Sequence, residues 1–129
     1  KKILDLHRYP DASAFHLKHA LAQSVGVPEN HLIVGNGSNE VIDMLVRAYC
    51  VPGDSIVTSK AAFIAYRICA QIQGMATLES ALTHDLRTDL VDMASVVRAY
   101  PRVKMVFLAN PNNPTGTYNT TDEVRTFLK

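Results

Sequence analysis

Apolar positions recur along this chain first at helical and then at strand spacing. Ala14, Leu17, Lys18, Leu21 and Val25 lie three and four residues apart, predicting a helix to about residue 25. Asp11 or Ser13 is placed to cap it and Gly26 to end it. Residues 31–34 form a short apolar run that reads as a strand. Ser38 is placed to cap a helix over 39–49, with Ile42, Leu45, Val46 and Tyr49 on its inner face. Pro52-Gly53-Asp54 reads as a turn and 55–58 as a strand. Residues 61–73 predict a helix that is apolar almost all round, closed by Gly74 and followed by a strand over 75–78. A helix is expected over 90–100 from Thr88 or Asp89, and another over 120–129. Between them, Val-Lys-Met-Val-Phe-Leu-Ala over 103–109 is apolar apart from Lys104, the pattern of a strand buried on both faces of a parallel sheet.

This alternation predicts an α/β fold built from βαβ units with right-handed crossovers. The expected architecture is a three-layer α/β/α arrangement around a mostly parallel sheet of four strands, with five helices. Ligands in such folds sit beyond the carboxyl ends of the strands. The loops that matter are therefore those after Val34, Thr58, Leu78 and Ala109.

Composition narrows the function classes. The 129 residues are 47% hydrophobic and 19% charged, as in a globular domain or a piece of one. Thirteen basic against twelve acidic residues give a net charge of +1, which offers no reason to expect nucleic acid or an anionic membrane as partner. No apolar run approaches the ~18 residues of a membrane span. The opening Lys1 and Lys2 lead into Asp5, His7 and Arg8 rather than the apolar core of a leader. Cys50 and Cys69 stand in apolar stretches and read as buried reduced thiols of a cytoplasmic protein. His16 and His19 share a helix face but have no acidic or cysteine neighbour in sequence, so no metal site is expected. No nucleophile elbow is present. The chain starts without Met and stops at Lys129 within a predicted helix; it reads as a fragment of a longer protein, trimmed at both ends.

Two loops stand out. Gly35-Asn36-Gly37-Ser38-Asn39-Glu40 joins a predicted strand to a helix start, where backbone amides and the helix dipole favour an anion such as phosphate. It lacks the third glycine of the dinucleotide fingerprint and the Lys-Ser/Thr of a Walker loop. Taken by itself it could equally be a tight turn with an ordinary cap. Asn110-Pro111-Asn112-Asn113-Pro114-Thr115-Gly116 follows the apolar strand. Its prolines stiffen it, and Asn112 and Asn113 offer donors and acceptors to a ligand. Phe63 and Tyr66 lie just past the strand ending at Thr58; aromatics at that spacing are commonly core, though a planar ligand could stack there. Leu6-His7-Arg8-Tyr9-Pro10-Asp11 precedes the first helix, with Tyr9 held extended by Pro10.

Together and in this order, these segments resemble the fold-type I aminotransferases that use pyridoxal 5′-phosphate, most closely the histidinol-phosphate branch. The resemblance spans essentially the whole chain, which would be part of the cofactor-binding large domain. It implies that Asn113 hydrogen-bonds the cofactor's ring oxygen and that Phe63 stacks on the pyridine ring. Ser38, Asn39 and Glu40 would hold or flank its phosphate, and Tyr9 would reach the phosphate in a neighbouring subunit of a homodimer. His7 stands where asparagine is common in the family. The Schiff-base lysine, the aspartate facing the pyridinium nitrogen and the arginine for the substrate's acid group fall beyond Gly116 in the family, and no residue of this chain matches them. Lys18, Lys60, Lys104 and Lys129 lie outside that motif. The resemblance thus implies an aminotransferase acting on small amino and keto acids, imidazole acetol phosphate and glutamate foremost, with this 129-residue chain inactive by itself. A related pyridoxal-phosphate decarboxylase or lyase shares these loops, and a small non-enzymatic phosphate-binding α/β domain is the alternative of a different class.

Overall fold

The computed structural model describes residues 7–129, so Lys1, Lys2, Asp5 and Leu6 lie outside the described residues. Two compact units divide the chain, one up to Val41 and the other Ile42–Lys129.

In the first unit, α1 spans Phe15–Val25. Asp11 opens it: its carboxylate accepts from the Ser13 and Phe15 amides at 2.9 and 3.0 Å. Gly26 closes it in the left-handed conformation. The half-buried positions are Ala14, Lys18, Leu21 and Ala22, whereas Leu17 and Val25 of the expected face are exposed. The strand expected over 31–34 does not form. Glu29–His31 is a short 3-10 turn, and the apolar run after it has no strand partner among the described residues. An apolar run makes a strand only where a neighbouring ladder receives its amides and carbonyls.

Helix α2 covers Gly37–Tyr49, starting two residues earlier than expected, so Ser38 lies within the first turn rather than capping it.

In the second unit, Ser55–Ser59 (β1), Ala76–Ser80 (β2) and Val103–Val106 (β3) form a parallel sheet in the order β2-β1-β3. Between them run α3 (Ala65–Ile72) and α4 (Leu90–Ala99); α5 (Thr121–Phe127) follows β3. Alternation along β1 sorts the layers. Ile56 packs with Ile42 and Val46 of α2, with Ala65, Cys69 and Ala70 of α3, and with Met75. Val57 points to the other face, where α4 lies over β1 and β2 and brings the fully buried Met93. The expected three layers are present, with three strands instead of four among the described residues. Cys50 and Cys69 are free thiols, and burial pushes both above the usual thiol range.

Burial falls on a different strand from the one expected. The central β1, Ser-Ile-Val-Thr-Ser, is the buried one. The apolar 103–109 run is half-buried, because among the described residues β3 pairs with a strand, β1, along one edge only. A register shift between Ser55 and Ile56 leaves Lys104 out of the ladder, exposed to solvent.

Side-chain caps fix the later helices. Asp89 accepts from the Val91 and Asp92 amides, both at 3.0 Å. Thr120 and Glu123 make a reciprocal capping box on α5. Glu123 also receives Arg87 at 3.0 Å, joining α5 to the 83–89 loop. Its bonds from Thr120, backbone first, and then from Arg87 hold its carboxyl below the usual value of 4.5. A group whose pKa is lowered by folding stabilises above its unfolded pKa, and that gain is lost as pH falls through the folded value. Glu123→Gln is therefore expected to lower the thermal midpoint at pH 7, with the two curves converging as pH drops below about 4.5. A gap between the curves that stays constant down to pH 3 would contradict this.

Candidate functional site

The first unit presents the glycine loop. Gly37, at φ +72°, adopts a backbone that L side chains rarely take, and a Cβ there would meet nothing within 4 Å. The glycine is required by conformation rather than by space. Ser38 and Asn39 follow it, exposed and without a side-chain partner among the described residues. Glu40 behaves differently. Its carboxylate accepts from the Asn36 amide at 2.5 Å and from Asn36 Nδ2 at 3.0 Å. Its part is to hold the loop in shape, with Ser38 and Asn39 exposed beside it. Tyr9, in the same unit, is 97% exposed.

The second unit gathers its groups at the carboxyl ends of β1 and β3. Helix α3 starts at Ala65, four residues later than expected. Lys60 donates its amide to Ser80 at 3.1 Å and Ala62 donates to Ser59 at 3.1 Å, folding 60–64 into a turn. Phe63 thus sits in that turn at the end of β1 rather than on a helix. It is half-buried, its ring edge-on to Tyr66 at 5.9 Å, and Tyr66 stacks on Phe107 at 4.5 Å. Burial raises the Tyr66 hydroxyl above its usual pKa. The sequence reading of these aromatics as core holds for one side of the ring chain, since Phe63, Tyr66 and Phe107 all pack against the core.

After β3 the loop folds back on itself. Asn110 and Asn119 exchange two bonds: Asn110 Nδ2 donates to the Asn119 carbonyl at 2.9 Å, and the Asn119 amide donates to Asn110 Oδ1 at 2.8 Å. Asn119 Nδ2 reaches the Thr88 carbonyl at 3.0 Å. Gly116, at φ +72°, completes the turn and donates to the Asn112 carbonyl at 2.8 Å. Of the two asparagines expected to face a ligand, the structure separates the roles. Asn112 is 5% exposed and turned inward. Asn113 is exposed and has no side-chain partner among the described residues, so its amide is free to meet a ligand from a loop that is itself held.

Sequence reasoning missed Asn110, Asn119 and Thr117 as the braces of this loop. A run of asparagines and threonines flanking prolines was the available signal. It also missed the buried hydroxyls of Thr58 and Ser80, which have no partner near the strand ends. A cavity of about 590 Å³ lies elsewhere, walled by α4, α5 and the 83–89 loop, and contains none of the expected residues. Arg87 and Glu123 in its wall bind each other, and Asp89 is occupied in capping α4. Among the described residues no three His, Cys, Asp or Glu side chains come together as metal ligands, and no helix is long and apolar enough to cross a membrane.

A parallel α/β sheet with rigid polar loops at its carboxyl ends defines a ligand-binding α/β domain. The aminotransferase class I and II family matches residues 2–129, and the chain belongs to that family. It is 42% identical over 123 residues to the histidinol-phosphate aminotransferase of Anaeromyxobacter sp. (strain Fw109-5), covering 95% of this chain and 33% of that protein. Among solved structures it resembles histidinol-phosphate aminotransferase from Sinorhizobium meliloti in complex with pyridoxal-5′-phosphate. The TM-score is 0.90 at 26% identity, over 98% of this chain and 34% of the other. Alanine aminotransferase from Pyrococcus furiosus shares the fold at a TM-score of 0.85 and 22% identity, covering 99% of this chain and 35% of that one. The chain spans about a third of the length of the curated relatives it matches.

Proposed function

We propose that this chain is part of the cofactor-binding large domain of a pyridoxal-phosphate aminotransferase acting on histidinol phosphate. The observation that carries the reading is the loop after β3: Asn113 stands exposed and unpaired, among the described residues, on a segment whose neighbours are tied down. The similarity to histidinol-phosphate aminotransferases supports the substrate. The bound cofactor would supply an electron sink for a bond broken at the amino acid's Cα.

The residues present fit that group. Asn113 would donate an Nδ2 N–H to the ring oxygen. Phe63 stacks on the ring, and its lack of a hydroxyl leaves stacking as its contribution. Ser38 and Asn39 would offer amides and a hydroxyl to the phosphate at the start of α2, where the helix dipole favours an anion; the Gly37 amide is taken by the Gly35 carbonyl at 2.8 Å. Glu40 acts through Asn36, keeping those amides in place. Tyr9 serves the neighbouring subunit of a homodimer. None of Lys18, Lys60, Lys104 and Lys129 matches the family's Schiff-base lysine, so the 129 residues are expected to be inactive by themselves. The whole protein works in the cytoplasm on small amino and keto acids.

The test is a coupled assay of the full-length protein with imidazole acetol phosphate and glutamate. Formation of 2-oxoglutarate at rates well above those with pyruvate or oxaloacetate as acceptor supports the substrate. Equal or lower rates with imidazole acetol phosphate would overturn it.

A further inference from the structure

We propose that Asn112 is a positioning residue that sets the spacing between the Phe63 turn and the Asn113 side chain. The inference rests on the reading above, in which those two residues meet the cofactor ring. Asn112 Nδ2 donates to the Ala61 carbonyl at 3.0 Å and to Thr115 Oγ1 at 2.8 Å. Ala61 stands two residues before Phe63, and Asn113 immediately follows Asn112. One buried amide thus ties together two loops that are 51 residues apart in sequence.

The tie is braced from behind. The Asn112 amide donates to the Thr117 carbonyl and the Gly116 amide to the Asn112 carbonyl, each at 2.8 Å. The Thr115 and Thr117 hydroxyls are bonded at 2.8 Å, and Thr117 Oγ1 donates to the Leu86 carbonyl at 2.8 Å. The bonds among Asn112, Thr115, Gly116 and Thr117 keep the loop in one shape, Thr117 anchors it to Leu86, and the Asn112 amide alone carries the tie to Ala61.

The orientation of the amide follows from its partners. Turning it over would set Oδ1 against the Ala61 carbonyl, acceptor against acceptor. In the orientation observed, Oδ1 is buried without a partner. A buried acceptor left unmet costs stability. An apolar side chain of similar size would avoid that cost and still fill the space. It could not hold Ala61, which is the work the amide performs.

Two variants of the full-length protein separate positioning from packing. Asn112→Asp keeps the shape but sets an acceptor against the Ala61 carbonyl. Asn112→Leu keeps most of the volume and removes both the donor and the unmet acceptor. Titrations would use pyridoxal 5′-phosphate and, separately, inorganic phosphate, with hydrogen exchange followed on the cofactor-free proteins. For both variants the dissociation constant for pyridoxal phosphate is expected to rise about tenfold, while that for phosphate changes less than about twofold. Exchange is expected to quicken in 59–66 and in 110–117 together. An unchanged pyridoxal phosphate affinity in Asn112→Leu, an equal loss for both ligands, or quickening confined to 110–117 would overturn the inference. If the unmutated protein bound no pyridoxal phosphate, the proposed function would fall, and the exchange pattern would still decide whether Asn112 couples the two loops.

Discussion

Replacing Asn113 by alanine in the full-length protein is expected to weaken pyridoxal phosphate binding about tenfold to hundredfold and to leave stability nearly unchanged. The two halves of this result have different physical origins. Asn113 is exposed and has no side-chain partner among the described residues, so its truncation removes nothing that holds the fold. Surface changes of that kind shift stability by no more than about 0.5 kcal/mol. The bond it is proposed to make is to a charged ring oxygen, worth about 1.5–3 kcal/mol, and each 1.4 kcal/mol is roughly a factor of ten in affinity. Equilibrium titration and a thermal melt on the same preparation measure both halves. A melt that fell by several degrees along with affinity would show Asn113 to be part of the scaffold instead.

The second large effect is on the fold. Ile56→Ala is expected to cost about 3 kcal/mol, since truncating a buried isoleucine removes both transfer energy and the contacts lining the cavity it leaves. Ile56 is fully buried at the centre of the sheet, between β2 and β3, under α2 and α3. Val91→Ala on α4 is the control: Val91 is 77% exposed, and its loss should stay within about 0.5 kcal/mol. Urea denaturation of both variants reads the difference. A cost for Ile56→Ala below about 1 kcal/mol would mean that the core is centred elsewhere.

What the sequence disclosed about the fold was whatever local chemistry decides. Asp89, Thr120 and Gly26 mark helix ends through bonds made within a few residues, and those ends fell where expected. Some local readings missed, as with Ser38, which lies inside the first turn of α2 instead of capping it; the larger failures were non-local. Residues 31–34 carry a strand's composition but have no ladder to join among the described residues. The apolar 103–109 run has, among the described residues, strand neighbours on one edge only, while the plainer Ser-Ile-Val-Thr-Ser of β1 occupies the centre because strand order puts it there. Burial in a sheet is a property of neighbours, which a strand's own residues do not name.

The candidate site divides in the same way. The Asn-Asn-Pro-Thr-Gly run announced a rigid polar loop. Which asparagine turns inward could not be read from two identical residues side by side; the Ala61 carbonyl, far away in sequence, decides it. Phe63 was placed on a helix because its surroundings are apolar, and the bonds from Lys60 to Ser80 and from Ala62 to Ser59 keep it in a turn instead. That turn brings its ring to the end of β1, the side of the sheet from which it is proposed to stack.

The most direct measurement is of the cofactor and its point of attachment. The full-length protein, incubated with pyridoxal 5′-phosphate, would be reduced with borohydride, digested and read by mass spectrometry. The expected result is stoichiometric labelling of one lysine, in a peptide that lies outside residues 1–129. Absence of any label, or a label on Lys18, Lys60, Lys104 or Lys129, would contradict the assignment of this chain to the cofactor-binding wall of an aminotransferase.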